Sequence, residues 1–506
     1  MDDFLSVETQ QSRLAAYQDA HRQDRDHPTL PPASALRSAE SSLPAPDSPS
    51  YLTPTRPEDV ARHITADILP ALTGQARSSR YYGFVTGGVL PLAQWADALV
   101  SHADQNVQVH LPSQTVATAV EDSALRMLAA VLGLDVGVFG GRTLTTGATG
   151  SNILGLACGR EAVLQRKGGD VGELGLLGAC VKAGVTEIQV LTSGGHSSLS
   201  KAASVVGLGR RSVRELSTTS RGEEPWRLDI DAVEEHLKRP GTASIIAISA
   251  GEVNTGRFAV DGMEDMRRLR ALADEYGAWI HVDGAFGIFA RVLEDADEYR
   301  LLRRQAQGIE LADSITVDGH KVLNVPYDCG MFYTRSLPTL QSVFTNPNAA
   351  YLSSGATSHP DIPSPLNIGL ENSRRFRALP AYAVLLSEGR AGLARLVSNM
   401  VRLTRRIAGF VRTSGHYDLL PTPADGDEAV FIIVLFRARD PALNDVLVDR
   451  INRTRQMYVS GTSWQGEKAV RIAVSNWKVD VDRDYRVVTS ILTAVAEGRE
   501  FDLSSC

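Results

Sequence analysis

The segment that decides the fold is DSITVDGHKVLNVPYDCG, residues 313–330. It opens with a β-branched, apolar run that predicts a buried strand, and it then enters a turn bounded by Gly319 and Pro326. Lys321 stands in that turn, three residues past the end of the predicted strand. Most lysines are solvated surface charges. A lysine at the ligand-binding end of a sheet can instead be partly desolvated, which makes its amine a nucleophile able to form a Schiff base.

Similar apolar runs flank this segment and alternate with helical patterns. Further strands are predicted at EIQVLTS (187–193), SIIAISA (244–250), AWIHVD (278–283) and CGMFYT (329–334). One face of a helix is predicted from Met266, Leu269, Leu272 and Tyr276. Near-continuous apolar strands that alternate with helices predict an α/β fold, with a mostly parallel sheet covered by helices on both faces. The runs VFIIVLF (430–436) and AVRIAVS (469–475) predict a smaller α+β domain near the C-terminus.

The composition excludes several classes of protein. The chain has 506 residues, of which 43% are hydrophobic and 22% charged, so a disordered or fibrous chain is excluded. A formal net charge of −7 gives no sign of a nucleic-acid partner. The four cysteines are scattered and form no metal-binding motif, and no apolar run suits a membrane span or a secretory signal. We therefore expect a cytoplasmic protein that holds no metal and binds neither nucleic acid nor membrane.

Three further features could bind a ligand or take part in catalysis. TTGATGSN (145–152) leads into a predicted helix, and such a turn can hold an anion, although it can equally be a helix cap. Asp283 ends one predicted strand and His196 follows another, at the edge where ligands bind in open α/β sheets. Taken alone, each residue is more often structural than functional. Together with Lys321 they provide an anion seat, a stacking imidazole, an acid for a pyridinium nitrogen and a lysine nucleophile, which is what pyridoxal 5′-phosphate requires.

These motifs resemble those of the group II pyridoxal-phosphate decarboxylases, the relatives of glutamate decarboxylase, aromatic amino-acid decarboxylase and sphingosine-phosphate lyase. The similarity runs from about RYYGFVTGG (80–88) to about RIAVSNW (471–477). HVDGAFG, DGHKVLNVPYDCG and ENSRRFRALPAY (371–382) are specific only in combination. The resemblance implies the pyridoxal-phosphate-dependent transferase fold of type I, with a seven-stranded type of sheet.

The resemblance also implies roles for individual residues. Lys321 would hold the cofactor as a Schiff base, Asp283 would pair with the pyridine nitrogen, and His196 would stack on the ring. Gly147 stands where some relatives have Ser, so one hydroxyl ligand of the phosphate is lost. The full set of residues expected to bind the cofactor is Gly147, Ala148, Thr149, His196, Asn254, Asp283, Ala285, Asp318, His320 and Lys321. The YYGF segment would help to line the substrate pocket, and the residues expected there are Tyr82, Phe84 and Thr86.

The resemblance further implies a homodimer whose active sites lie at the interface. We divide the chain accordingly. Residues 1–110 would form an N-terminal arm and a segment that packs on the partner subunit, in keeping with the Pro/Ser/Ala-rich run at 28–49. Residues 111–375 would form the large cofactor-binding domain, and residues 376–506 the small C-terminal domain.

Two departures from the family pattern bear on the reaction. Where relatives often have a Gly-Thr-Thr turn, this chain reads GEVNTG (251–256), which brings Val253 or Asn254 to that place. Decarboxylases of the family often carry a Tyr on a mobile loop before the Arg-Arg-Phe-Arg motif. Here Tyr351 lies well upstream of that place, which reads HPDIPSPLN (359–367). His359 is the nearest residue there that could carry a proton, so it is our candidate acid.

The sequence therefore predicts a lyase that uses pyridoxal phosphate to remove the α-carboxylate of an L-amino acid, giving an amine and CO2. Two alternatives use the same fold: a carbon–carbon lyase of the aldolase type, and a decarboxylase that deaminates its substrate oxidatively to an aldehyde. A third alternative is a cofactor-binding partner protein without turnover, against which the intact Lys321 and Asp283 argue. The sequence does not name the substrate.

Overall fold

The computed structural model describes residues 11–12, 14–15, 26–218, 224–346, 362–421 and 426–505. Within these residues the core is a seven-stranded sheet. Its strands are β1 Gly141–Thr145, β2 Glu187–Thr192, β3 Val213–Glu215, β4 Thr242–Ser249, β5 Trp279–Asp283, β6 Ser314–Asp318 and β7 Gly330–Thr334. They lie side by side in the order β1-β7-β6-β5-β4-β2-β3. The strands from β3 through β2, β4 and β5 to β6 pair in parallel, while β7 is antiparallel to both β6 and β1.

The central parallel strands, β4, β5 and β6, are mostly buried because helices cover the sheet. Every residue of β6 and all but one of β4 are buried, which accounts for their nearly continuous apolar sequence. This confirms the predicted α/β architecture and its mostly parallel sheet. Strands β1 and β3 were not predicted, since GRTLT and VRE are short and carry charged residues.

The helices lie along and around this sheet. Their bounds are α1 Ala33–Ser42, α2 Pro57–Arg62, α3 Pro91–Ala103, α4 Ala117–Val131, α5 Ala148–Gln165, α6 Val171–Ala183, α7 Ser197–Val205, α8 Ile230–Leu237, α9 Met263–Tyr276, α10 Arg300–Gln305, α11 Leu337–Phe344, α12 Ala378–Thr413, α13 Pro441–Arg453 and α14 Val481–Ala496. Helix α5 packs across β4, β5, β6 and β7, so it is the central helix of one face. Among the described helices, none combines the length and the apolar character that crossing a bilayer requires.

A second, smaller sheet lies in the C-terminal part of the chain. Its four described strands are antiparallel in the order β10-β11-β9-β8, with bounds β8 Tyr417–Leu420, β9 Ile433–Ala438, β10 Ser460–Trp464 and β11 Glu467–Ala473. Helix α12 bends at Gly389 and packs against α3, α4 and α14, so it joins the region of the large sheet to that of the small one. The small antiparallel sheet with its helices agrees with the predicted α+β region. The exact domain boundaries remain a prediction.

The segment before α3 is tied to the C-terminal region by a buried ion pair. Arg80 lies 3.0 Å from Asp484 on α14, and their side chains are 0% and 1% exposed. Ser79 donates its hydroxyl to the same carboxylate at 2.8 Å. Burial raises the pKa of Asp484, while Arg80 and the hydrogen bonds counteract that effect. The pair therefore holds the segment that leads to Phe84 and Gly87.

We expect Asp484→Ala to lower the free energy of unfolding by about 3 kcal/mol, because it removes a buried partner of the Arg80 guanidinium. The matched control is Asp482→Ala on the same helix. It removes the ion pair between Arg406 and an Asp482 side chain that is 85% exposed, and it should cost less than about 1 kcal/mol. Equilibrium denaturation measures both, and equal losses in the two variants would contradict this role of the pair.

Candidate active site

The carboxyl ends of β2, β4, β5 and β6 meet at one edge of the large sheet, since these strands are parallel. A cavity of about 830 Å³ opens there. Its lining includes Phe84 and all ten residues that were expected to bind the cofactor, namely Gly147, Ala148, Thr149, His196, Asn254, Asp283, Ala285, Asp318, His320 and Lys321. The structure therefore brings together residues that lie far apart in the sequence.

Lys321 lies at the mouth of the turn after β6. Its Nζ is 3.3 Å from a carboxylate oxygen of Asp318, and the side chain is 20% exposed. The same Nζ lies 5.8 Å from the centroid of the Phe286 ring. The amine is thus mostly enclosed, with a carboxylate on one side and an aromatic ring on the other.

The backbone of this turn is fixed from outside. Gly87 adopts a φ of +61°, and a Cβ at that position would lie 2.1 Å from the carbonyl oxygen of Lys321. Asn324, which is fully buried, adopts a φ of 55°. Its Oδ1 accepts from the N–H groups of Gly88 at 2.7 Å and Trp477 at 2.9 Å, and its Nδ2 donates to the carbonyl of Ser475 at 3.1 Å. Two distant parts of the chain, the segment at Gly87 and Gly88 and the segment from Ser475 to Trp477, thereby set the position of Lys321.

Asp283 ends β5 and faces the cavity from its floor. One carboxylate oxygen accepts from Asn152 Nδ2 at 2.8 Å, and the other accepts from the N–H of Ala285 at 3.2 Å. Both contacts are donated to the carboxylate, so the group acts as a hydrogen-bond acceptor. It can present a negative charge to a ligand in the cavity.

His196 caps the N-terminus of α7. Its Nδ1 accepts from the N–H of Ser198 at 3.1 Å and lies 2.7 Å from the Ser198 hydroxyl. Burial lowers the pKa of His196, although the charge of Asp283 acts in the opposite direction. The imidazole is therefore neutral at neutral pH. Because Nδ1 is an acceptor, the proton sits on Nε2.

The turn at residues 147–149 begins α5, with its backbone N–H groups toward the cavity. In this structure the N–H of Ala148 donates to Asp318 Oδ1 at 3.1 Å, and His320 Nε2 lies 3.2 Å from the same oxygen. A Cβ on Gly147 would lie only 3.0 Å from the His320 ring, so a side chain there would crowd it. The turn at residues 147–149 can bind an anion, and in this structure the Asp318 carboxylate already accepts one of its N–H groups.

Arg471 is a cavity residue that the sequence analysis did not single out. Its side chain lines the cavity, the residue is 7% exposed, and its guanidinium donates to the carbonyls of Val253 at 2.7 Å and Gly83 at 2.9 Å. No carboxylate among the described residues forms an ion pair with it, and its Nε has no hydrogen-bond partner there. Burial lowers the pKa of the guanidinium. The sequence signal that could have found it is an arginine within a predicted apolar strand, because a buried arginine normally needs an anionic partner.

Of the other predicted residues, some line the cavity and some do not. Asn254 lines the cavity and accepts from the Thr462 hydroxyl at 2.8 Å. Phe84 also lines it, whereas Tyr82 is fully buried in the hydrophobic core. Thr86 is not among the described lining residues, and its carbonyl accepts from the Tyr327 hydroxyl at 3.3 Å. His359 and Tyr351 lie outside the described residues.

Comparisons with known proteins identify the family and the fold of the chain. The model of the pyridoxal-dependent decarboxylase conserved domain matches residues 55–439. The chain is 26% identical to L-2,4-diaminobutyrate decarboxylase of Acinetobacter baumannii over 372 residues, 72% of this chain and 68% of the relative. It is also 26% identical to tryptophan decarboxylase 1 of Oryza sativa over 454 residues, 85% of this chain and 82% of the relative.

The fold also has a close counterpart among solved structures. The crystal structure of Oryza sativa TDC with PLP and tryptamine superposes with a TM-score of 0.81 at 22% identity, covering 98% of this chain and 99% of the other. These findings confirm three predictions: the type I fold, the cofactor pyridoxal 5′-phosphate and the class of enzyme, an amino-acid decarboxylase. The chain belongs to the family of pyridoxal-dependent decarboxylases.

Proposed function

We propose that this enzyme removes the α-carboxylate of an L-amino acid, releasing CO2 and the corresponding amine, with its cofactor bound covalently to Lys321. The observation that carries the proposal is the single cavity into which Lys321, Asp283 and His196 converge. When bound, pyridoxal 5′-phosphate supplies an electron sink for the electron pair left on Cα. The protein must then bind that cofactor, orient the substrate and return a proton.

The residues present fit this cofactor. The enclosed amine of Lys321 can attack an aldehyde, and the turn at 147–149 offers backbone N–H groups for a phosphate. Asp283 is an acceptor at the cavity floor, suited to a protonated ring nitrogen. Neutral His196, whose Nε2 carries the proton, can lie against a flat ring and donate a hydrogen bond. Asn254 and Ala285, which line the same cavity, complete the proposed cofactor site.

We further propose that Arg471 binds the carboxylate of the substrate. It is a buried cation that lines the cavity and lacks an ion-pair partner among the described residues. A carboxylate placed there would compensate the charge and form charge-assisted hydrogen bonds. Arg471 would thus orient the substrate through its carboxylate, with the amine of the substrate toward the cofactor that Lys321 would hold. Phe84 is the proposed aromatic contact on the same cavity wall.

We also propose a cytoplasmic homodimer, divided into the three regions given by the sequence analysis. An apolar groove of about 450 Å³ lies between α3 and α12, lined by Leu92, Trp95, Leu99, Leu379, Tyr382 and Leu386. Trp95 is 60% exposed, which is unusual for so large an apolar side chain and suits a protein interface. Sedimentation of the purified enzyme tests the dimer, and a fully active monomer would contradict it.

The proposed reaction is tested by giving the cofactor-loaded enzyme a panel of L-amino acids. We expect one of them to yield CO2 and its amine in equal amounts. An aldehyde formed with consumption of O2 would support the oxidative deaminase instead. Cleavage without CO2 would support a carbon–carbon lyase, and no change with any amino acid would support the partner protein without turnover.

The role of Asp283 is tested by Asp283→Asn, which keeps the size of the side chain and removes its charge. We expect kcat to fall about a hundredfold or more, the equivalent of about 3 kcal/mol. The free energy of unfolding should fall by only about 1 kcal/mol, because the amide keeps one acceptor oxygen for two donors, the N–H of Ala285 and Nδ2 of Asn152. A variant with turnover close to that of the wild type would refute the role.

A further inference from the structure

Asn152 on α5 lies directly behind Asp283. The residue is 0% exposed, and all the contacts of its amide are internal. Its Oδ1 lies 2.8 Å from the Thr316 hydroxyl and 3.0 Å from His281 Nε2. Its Nδ2 lies 2.8 Å from Asp283 Oδ2 and 3.1 Å from the Ser198 hydroxyl. The amide thus has a partner at every donor position and at both acceptor positions.

The orientation of this amide is determined by a chain of donors that begins at Trp279. The indole N–H can only donate, and it donates to Ser314 Oγ at 2.9 Å. The Ser314 hydroxyl hydrogen is then free to donate to His281 Nδ1 at 2.8 Å, which leaves the His281 proton on Nε2. Burial lowers the pKa of His281 to about 4, so the ring is neutral and Nε2–H donates to Asn152. Asn152 Oδ1 is therefore the acceptor.

The opposite end of the amide must consequently donate. One N–H group of Nδ2 meets the Asp283 carboxylate, and the other meets Ser198, whose hydroxyl lies 2.7 Å from His196 Nδ1. The close approach of α5 to the strands depends on Gly155, where a Cβ would lie 2.3 Å from the His281 ring. A glycine on the helix therefore allows His281 to reach Asn152.

We propose that Asn152 is a positioning residue that holds Asp283 as an acceptor facing the cofactor cavity. The inference rests on the proposed function, since it assumes that Asp283 serves pyridoxal 5′-phosphate. Asn152 does not touch the cavity itself. It acts through one hydrogen bond to a charged group, an interaction worth roughly tenfold or more in an equilibrium that depends on it.

The test is Asn152→Asp, which replaces the donating NH2 by an oxygen of similar size. Two carboxylates would then face each other across the 2.8 Å gap. While the pair shares a proton, the new carboxyl group can donate to Asp283 as the amide does. Once the proton is lost, the two charges repel and Asp283 is displaced. The charge of Asp283 acts on His281 and on His196, and Lys321, Arg471 and Asp318 also act on His196, so these are the other titratable or charged groups to consider.

The readout is the affinity of the apoprotein for pyridoxal 5′-phosphate, from about pH 5 to about pH 9, compared with the wild type at each pH. We expect the variant to bind within about threefold of the wild type at the acidic end. At the alkaline end it should bind at least about tenfold more weakly. Asn152→Ala should bind weakly at every pH, because it has no group that can be protonated to a donor.

Two further variants separate positioning from folding. The double variant that carries both Asn152→Asp and Asp283→Asn, called the exchanged pair below, keeps a donor and an acceptor in contact but moves the charge away from the cavity. We expect its stability to be close to that of the wild type and its cofactor affinity to be low at every pH. Gln189→Glu is the control for a buried amide changed to an acid. Gln189 is 0% exposed and bonds to Ser244 and His236, outside the cavity lining.

Wild-type affinity in Asn152→Asp over the whole pH range would overturn the proposal. A loss that does not vary with pH and is matched in Gln189→Glu would also overturn it, as would wild-type affinity in the exchanged pair. If Asn152→Asp does not fold, the exchanged pair decides the question. An unaltered protein that does not bind pyridoxal 5′-phosphate would instead refute the proposed function.

Discussion

The position of Lys321 depends on the turn after β6, and that turn depends on Asn324. The side chain of Asn324 joins the segment at Gly88, its own turn and the chain after β11 through hydrogen bonds that water cannot replace, since the residue is fully buried. A side chain at position 87 would collide with the carbonyl oxygen of Lys321, so only glycine fits there. Lys321 is therefore in place only when the N-terminal segment, the large sheet and the C-terminal region have all folded together.

The charged groups in the cavity constrain how a ligand can bind. Lys321 faces Asp318 in the structure, while Arg471 has no carboxylate partner among the described residues. Asp318 also accepts a hydrogen bond from the N–H of Ala148, one of the donors at the start of α5. A phosphate that occupied this turn would compete with Asp318 for the N–H of Ala148. His320 Nε2 lies 3.2 Å from the same Asp318 oxygen, so His320 could keep a hydrogen bond to that carboxylate.

Much of the large sheet was predictable, because its central parallel strands are buried and have nearly continuous apolar sequences. Lys321, Asp283 and His196 could be grouped in one site for the same reason, since the carboxyl ends of parallel strands share an edge. Short strands such as β1 were missed because their sequence has no such pattern. Asn152 and Arg471 were missed because their roles depend on packing between α5 and β5 and on the reach of β11 into the cavity. Neither spacing nor composition reveals such contacts.

We propose that Lys321 is the residue to which the cofactor attaches. This attachment is tested most directly by reducing the cofactor-loaded enzyme with borohydride and mapping the peptides by mass spectrometry. We expect one pyridoxyl group per chain, located on Lys321. We also expect none in Lys321→Arg, which preserves a cation beside Asp318 but cannot form the covalent link. A pyridoxyl group on another lysine of the wild-type enzyme, or no covalent label after the cofactor has bound, would contradict this proposal.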